Sequence, residues 1–231
     1  MKIEIRQCLA GAEQAEGVVV IVDVFRSGNT SAVLLDRGAP FIRPVAELEE
    51  ARALKNLHPD WLLVGERDGI KPDDFDINNS PTEAFALETG GRPVILSTSA
   101  GTYGLAAAAP RAELLLMATL INARAAADII RTLQPDLVTL VAIGSNARQP
   151  ASEDDLAAAF LADLILDRRP DYNAVARGML KGSGADRLRQ LGQWRDLAWC
   201  LRLDRLNLVP EARLAGGDLV LRPYVPAGGV E

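Results

Sequence analysis

One histidine, His58, and two cysteines, Cys8 and Cys200, are all the imidazole and thiol groups that 231 residues offer a metal. The cysteines lie far apart and lack zinc-type spacing, which excludes a structural zinc site and fits a reducing compartment. With a lone histidine placed before Pro59 as a turn residue, and no nucleophile-elbow motif, acyl-transfer triad chemistry is excluded too. Long apolar runs are missing: the longest, residues 18–22 and 114–117, fall well short of the roughly 20 residues a membrane span requires. The opening MKIEIRQ lacks the apolar stretch of a signal peptide. Positive charge is not in excess either, since 25 basic side chains face 31 acidic ones for a net charge of -6. No field of that sign draws a chain to nucleic acid or to an anionic membrane. The expectation is a soluble, cytoplasmic protein with neither of those partners.

What is present reads as a globular α/β protein. Hydrophobic residues make up 48% and charged residues 24%, enough for a packed core. Short runs rich in Val, Ile and Leu at residues 18–22, 61–64, 94–96, 114–117 and 137–143 predict buried strands. Helical spacing follows at 30–37, 47–57, 82–88, 123–133 and 153–166, with glycine closing the first and third of these. Alternation of this kind favours a mainly parallel or mixed sheet in a three-layer α/β/α body, because parallel neighbours need a crossover that a helix supplies. Beyond Ser152 the pattern loosens into a polar helical region containing Lys181-Gly-Ser-Gly184, then a short terminal hairpin of Leu208 to Pro210 and Leu219 to Leu221 separated by Gly216-Gly217. A single domain is expected, with a smaller C-terminal subregion from about residue 172.

Four strands end in unusual concentrations of polar residues and glycine. They are Asp23 to Thr30, Gly65 to Asp68 running on to Asp76 and Ser80, Ser97 to Thr102, and Gly144 to Arg148 continuing to Asp154. Ligands of open α/β sheets bind outside the carboxyl ends of the strands, where these turns are expected to gather. Asp23, Glu66, Asp76, Glu153 and Asp154 offer hard oxygens suited to Mg²⁺. Arg26 and Arg67 offer planar forks that match phosphate or carboxylate, and Ser/Thr/Gly turns before helices present N–H groups to an anion.

Each feature also has a plainer reading. Asp23 and Arg26 read equally as a structural ion pair. Ser80-Pro81-Thr82-Glu83 has the spacing of a capping box with proline at the first helical position, which reserves Ser80 and Glu83 for helix initiation. Ser152 reads as an N-cap, and Glu153 to Asp155 also suit the positive end of a helix dipole.

Taken in order, Val22-Asp23-Val24-Phe25-Arg26, Gly65-Glu66-Arg67, Asp76, Asn79-Ser80-Pro81, Gly101-Thr102, Asn122-Ala123, Ser152-Glu153-Asp154, Asp196, Cys200, Asp204 and Val209-Pro210 resemble the 2-phosphosulfolactate phosphatase (ComB-like) family over nearly the whole chain. The resemblance implies a homodimer, Mg²⁺ dependence, and hydrolysis of 2-phospho-3-sulfolactate to sulfolactate and phosphate, a step toward coenzyme M. On that basis Asp23, Arg26, Glu66 and Arg67 are the expected catalytic set. Asp23, Glu66, Glu153 and Asp154 are the expected metal ligands, and Asn79, Thr98, Gly101 and Thr102 the expected phosphate pocket. Attack by water and an aspartyl-phosphate at Asp23 both remain open. A non-catalytic binder of a phosphorylated acid is the alternative. Departures from the family's pattern are Ser27 to Asn29 in the first loop, Asn78-Asn79, and Ala100 where an asparagine is usual.

Overall fold

The computed structural model describes residues 1–226. Among them are strands β1 (Lys2–Gln7), β2 (Gly17–Val22), β3 (Ile42–Val45), β4 (Leu62–Gly65), β5 (Val94–Ser97), β6 (Ala112–Met117), β7 (Leu137–Ala142), β8 (Pro210–Ala215) and β9 (Asp218–Pro223). The helices are α1 (Cys8–Glu13), α2 (Ser27–Asp36), α3 (Leu48–Leu57), α4 (Pro81–Ala86), α5 (Gly101–Ala108), α6 (Ala123–Leu133), α7 (Ser152–Ile165), α8 (Tyr172–Met179), α9 (Ser183–Gln190) and α10 (Trp194–Cys200). All the strands join one mixed sheet in the order β1-β7-β2-β6-β8-β9-β3-β5-β4.

Two parallel groups make up this sheet, β1-β7-β2-β6 and β3-β5-β4. The terminal hairpin expected from the sequence exists, but its first strand starts at Pro210 and runs up to the glycine turn rather than over 208–210, and it lies in the middle of the sheet, pairing antiparallel with β6 on one side and β3 on the other. A hairpin is suited to this insertion because it brings two ladder edges without needing a crossover helix.

The period-2 alternation of side chains along the strands assigns the layers. Val18, Val20 and Val22 face α6 and α7 through Ala126, Ile130, Phe160 and Leu161, while Val19 and Ile21 face a core shared with α2 and α5. In the other group, Leu62, Val64, Val94 and Leu96 enter that same core, whereas Leu63 and Ile95 pack on Ala51 of α3. Helix α5 touches β2 and β6 of one group and β3 of the other, so a single core spans both. This is the expected three-layer α/β/α arrangement, with a mixed sheet.

Local chemistry explains the less obvious elements. Ser80 Oγ accepts the Glu83 N–H at 3.1 Å and Pro81 occupies the first position of α4, but the box does not close, because the Glu83 carboxylate accepts the Asn78 N–H at 2.8 Å instead of that of Ser80. His58 ends α3 and stacks on Trp61 at a centroid separation of 4.0 Å, in keeping with a turn residue. Leu96 is fully buried in the core common to both strand groups. Leu96→Ala is therefore expected to lower unfolding free energy by about 2–5 kcal/mol. A loss below about 1 kcal/mol in urea titration would mean that this shared core does not carry the fold.

Candidate functional site

The polar turns after β2, β4, β5 and β7 converge on one cleft of about 550 Å³. Its lining includes Asp23, Arg26, Glu66, Asn79, Ala100, Glu153 and Asp154. A larger groove of about 1170 Å³ lies where strands β2 and β6 begin, among Val18, Ala112, Leu133 and Leu214. It contains none of the residues singled out above.

Asp23 is buried where β2 ends. Ser27 Oγ donates to its Oδ2 at 2.6 Å and the Ser27 N–H to Oδ1 at 3.3 Å. Close packing fixes this corner: a Cβ on Gly101 would fall 2.0 Å from Ser27 Oγ and 2.8 Å from Asp23 Oδ2. Glu66, equally buried, accepts the Ser99 N–H at 2.7 Å, the Ser99 hydroxyl at 3.0 Å and the Gly69 N–H at 2.6 Å. Asp154 takes the Val24 N–H on one oxygen at 2.8 Å and the Gly144 N–H on the other at 2.9 Å, which ties α7 to the ends of β2 and β7. Glu153 Oε2 is buried without a hydrogen-bond partner.

Arg26 does not pair with Asp23. Its Nη1 donates to Asp196 Oδ2 on α10 at 2.7 Å, both side chains being buried, while Nη2 reaches Gly69 O at 3.3 Å and Asn78 Oδ1 at 3.4 Å. Asp196 Oδ1 accepts from Ser80 Oγ at 2.6 Å and the Thr82 N–H at 3.1 Å. Arg67 turns out of the cleft and donates to the carbonyls of Glu66 and Ala46 and to Ser97 Oγ, lining an adjoining pocket of about 320 Å³. Thr98 and Thr102 are directed at each other, the Thr102 hydroxyl donating to Thr98 O at 2.9 Å and its N–H to Thr98 Oγ1 at 3.3 Å. Neither they nor Gly101 line the cleft: both threonines are buried, Gly101 packs against Ser27 and Asp23, and of the expected phosphate pocket only Asn79 reaches the cleft surface. Asn79 lines the cleft with a buried, unpartnered Oδ1. Asp76 lies outside it, accepting from Leu63 N–H at 2.7 Å and Lys55 Nζ at 3.3 Å.

Several contributors were not among the expected site residues. Ser27 and Ser99 hold the two central carboxylates, and Asp196 holds Arg26. Helix α9 supplies Ser183, Gly184, Asp186 and Arg187 to the cleft wall. Its one sequence signal was the Gly182-Ser183-Gly184 run: a Cβ on Gly184 would lie 1.9 Å from Glu153 Oε1, so a larger residue there would have to displace the Glu153 carboxylate.

The family model of 2-phosphosulpholactate phosphatase matches residues 5–214. The chain belongs to the 2-phosphosulfolactate phosphatase family. Similar proteins include a probable 2-phosphosulfolactate phosphatase of Thermus thermophilus, 33% identical over 88% of this chain and 91% of its own. Another, from Carboxydothermus hydrogenoformans, is 34% identical over 96% of this chain and 97% of its own, and one from Deinococcus radiodurans is 31% identical over 92% of each. The phosphatase family is one of phosphoric monoester hydrolases, so the chain is an enzyme by class. No described helix is long and apolar enough to cross a membrane.

Electrostatics set this family member's cleft apart from the rest of its surface. Six carboxylates line it, those of Asp23, Glu66, Asp68, Glu153, Asp154 and Asp186, against the guanidiniums of Arg26 and Arg187. Burial pushes Asp23 up to about 6, with the Glu66 charge adding to the rise and the Ser27 hydroxyl opposing it. Burial likewise raises Glu153 and, more strongly, Asp154, each pushed further by the Asp23 charge.

These carboxyls hold protons more tightly in the folded than in the unfolded chain. Their contribution to stability is therefore fully present below the unfolded value and is lost as pH rises through the folded one. For Asp23 the window runs from 3.8 to about 6. In metal-free protein, Asp23→Asn is expected to gain about 2 to 3 kcal/mol relative to wild type between pH 4 and pH 7.5. Urea titrations of both proteins at the two pH values measure this, and a constant difference would show that Asp23 titrates normally.

Proposed function

We propose that the chain hydrolyses 2-phosphosulfolactate, or a closely related small acidic phosphoester, to the hydroxy acid and phosphate with the help of Mg²⁺. One observation supports this above the others: six carboxylates, three of them with raised proton affinity, share a cleft with two guanidiniums. A dianionic phosphoester does not enter such a cleft alone, whereas a divalent cation relieves the repulsion and admits the anion with it.

The donor set fits Mg²⁺. Asp23, Glu66 and Glu153 carry hard oxygens, and the unpartnered Glu153 Oε2 is an open position for a cation. Among the described residues, no three Asp, Glu, His or Cys side chains come together as a group able to hold a metal ion. In this reading Mg²⁺ would therefore rest on one or two of these carboxylates, with waters and substrate oxygens completing its shell. Asp154, with each oxygen already accepting a backbone N–H, supports the site from behind. Bound there, Mg²⁺ would supply charge neutralisation for the phosphoryl oxygens and acidify water.

The chain's own residues do the rest. Ser27 and Ser99 keep the carboxylates of Asp23 and Glu66 oriented, Arg26 presents a fixed guanidinium beside the phosphoryl group, and Asn79 offers its amide to the substrate. Gly101 backs Ser27 and Asp23 from below, and Arg67 lines the adjoining pocket. Water is the nucleophile in this reading. On the same reading the enzyme works as a cytoplasmic homodimer in the formation of coenzyme M. Two free cysteines, Cys200 fully buried, suit a reducing compartment.

Purified protein is expected to release phosphate from 2-phosphosulfolactate with Mg²⁺ and to lose that activity in EDTA. Thermal stabilisation without release would favour the non-catalytic binder, a role consistent with Ala100 leaving the start of α5 without a side-chain cap. Because cation binding needs ionised carboxylates, Mg²⁺ should raise the melting temperature more at pH 7.5 than at pH 5; an equal rise would point to a site elsewhere. Rapid acid quench with labelled substrate is expected to trap no phosphoprotein, and a labelled Asp23 would replace water by the aspartyl-phosphate route.

A further inference from the structure

The guanidiniums around the cleft are not equivalent. Arg26 is buried, and its Nη1 is committed to Asp196. Arg67 and Arg148 face the adjoining pocket. Arg187 alone combines three properties: it lines the main cleft, it is exposed, and it makes no ion pair among the described residues. Its Nη2 donates to the backbone carbonyl of Asp68, and its Nε lies 3.7 Å from where a Cβ on Gly69 would be.

The helix that carries it is well fixed. Ala185 and Leu188 of α9 are buried against Leu197, with Phe25 and Leu201 packed around them, and Gly184 abuts Glu153. Neighbouring acids are already engaged. Asp186 pairs with Arg189 at 2.6 Å, and Asp68 Oδ1 accepts from Asn146 Nδ2 at 3.2 Å. Arg187 therefore stands over the Gly69 turn, whose N–H binds Glu66, with a charge satisfied only by a neutral carbonyl. A guanidinium so placed exchanges a carbonyl for an acid group at a gain, since charge-assisted bonds are roughly twice as strong as neutral ones.

We infer that Arg187 is a specificity-determining residue, receiving the second acidic group of the substrate, a carboxylate or sulfonate, while the phosphoryl group lies toward Asp23 and Glu66. The inference rests on the phosphatase reading above and adds to it the reason an acidic phosphoester is chosen over a neutral one. A lysine would keep the charge but not the planar fork, so partial function is expected of it.

The test compares wild type, Arg187→Ala and Arg187→Lys, with melting temperatures to verify folding, on 2-phosphosulfolactate and on isopropyl phosphate, which has no second acid group. Arg187→Ala should lower the preference for the acidic substrate, as a ratio of kcat/KM values, about 10- to 100-fold. The loss should appear mainly in KM, and Arg187→Lys should recover part of it. An unchanged ratio overturns the inference. Calorimetric binding of 3-sulfolactate, which carries the second acid group without phosphate, separates this inference from the activity it rests on. If wild type releases no phosphate yet binds sulfolactate at least tenfold more tightly than Arg187→Ala does, the subsite stands and the phosphatase reading falls. Equal binding, or none by wild type, overturns the subsite.

Discussion

The buried ion pair between Arg26 and Asp196, 2.7 Å apart with side chains 2% and 5% exposed, is the constraint on which the site depends. Its parts come from distant stretches of the chain: the turn after β2 and helix α10, with Ser80 and Thr82 at the start of α4 completing the network on Asp196. Every oxygen of Asp196 is occupied, which is the condition under which a buried charge is tolerated. Removing one partner strands the other charge at a cost of about 3–5 kcal/mol. The pair therefore orients a guanidinium at the cleft and at the same time locks the C-terminal helices to the N-terminal loop. Helix α9 is held by the same arrangement, since its buried face packs on Leu197, next to Asp196 in sequence.

Against that fixed positive group stands an acidic cleft that folding requirements explain only in part. Asp154 has a structural role, bridging the ends of β2 and β7 through two backbone N–H groups. Glu66 organises the turn at Gly69 and the start of the Ser99 loop. Glu153 does neither with its Oε2, which is buried and unpartnered. An orphan carboxylate oxygen is costly in water-poor surroundings, and its persistence next to Asp23, another carboxylate of raised proton affinity, is the signature of a site arranged for a ligand rather than for stability. The proposed cation rests on these carboxylates, and the proposed anion on the guanidinium of Arg26 at the edge of the same cleft.

Much of the fold was legible in the sequence because its strongest elements are buried on both faces. The run Val18 to Val22 could be little else than a central strand, and Leu137 to Ala142 repeats the pattern. Edge and junction elements were not legible. In β1, charged Lys2, Glu4 and Arg6 weaken the apolar signal, and β3 contains Arg43 and Pro44, which read as loop. The hairpin was visible, but nothing in a strand's composition says which neighbours its edges will find. For the site, the carboxylates could be named from their place after strands. Direction of the side chains could not: Arg26 and Arg67 are alike on paper, yet one is drawn to a buried aspartate and the other to backbone carbonyls. Arg187 lay in a polar helix whose relevance comes only from packing.

The position of the hairpin has a consequence for catalysis. Asp23 belongs to one parallel group and Glu66 to the other, and the ladder between them is thin: two residue pairs join β6 to β8 and one joins β9 to β3. So few hydrogen bonds do not by themselves fix two carboxylates across a cleft. Helix α5 does that, since it packs on β2, β3 and β6 while its first residue, Gly101, abuts Ser27 and Asp23, and Ser99 just before it holds Glu66. The separation of the acidic groups is thus set by side-chain packing around one short helix, and close-packed interiors transmit small displacements rather than absorb them. Ala100, at the mouth of that helix, stands where a change in side chain would be felt by Asp23 and Glu66 together.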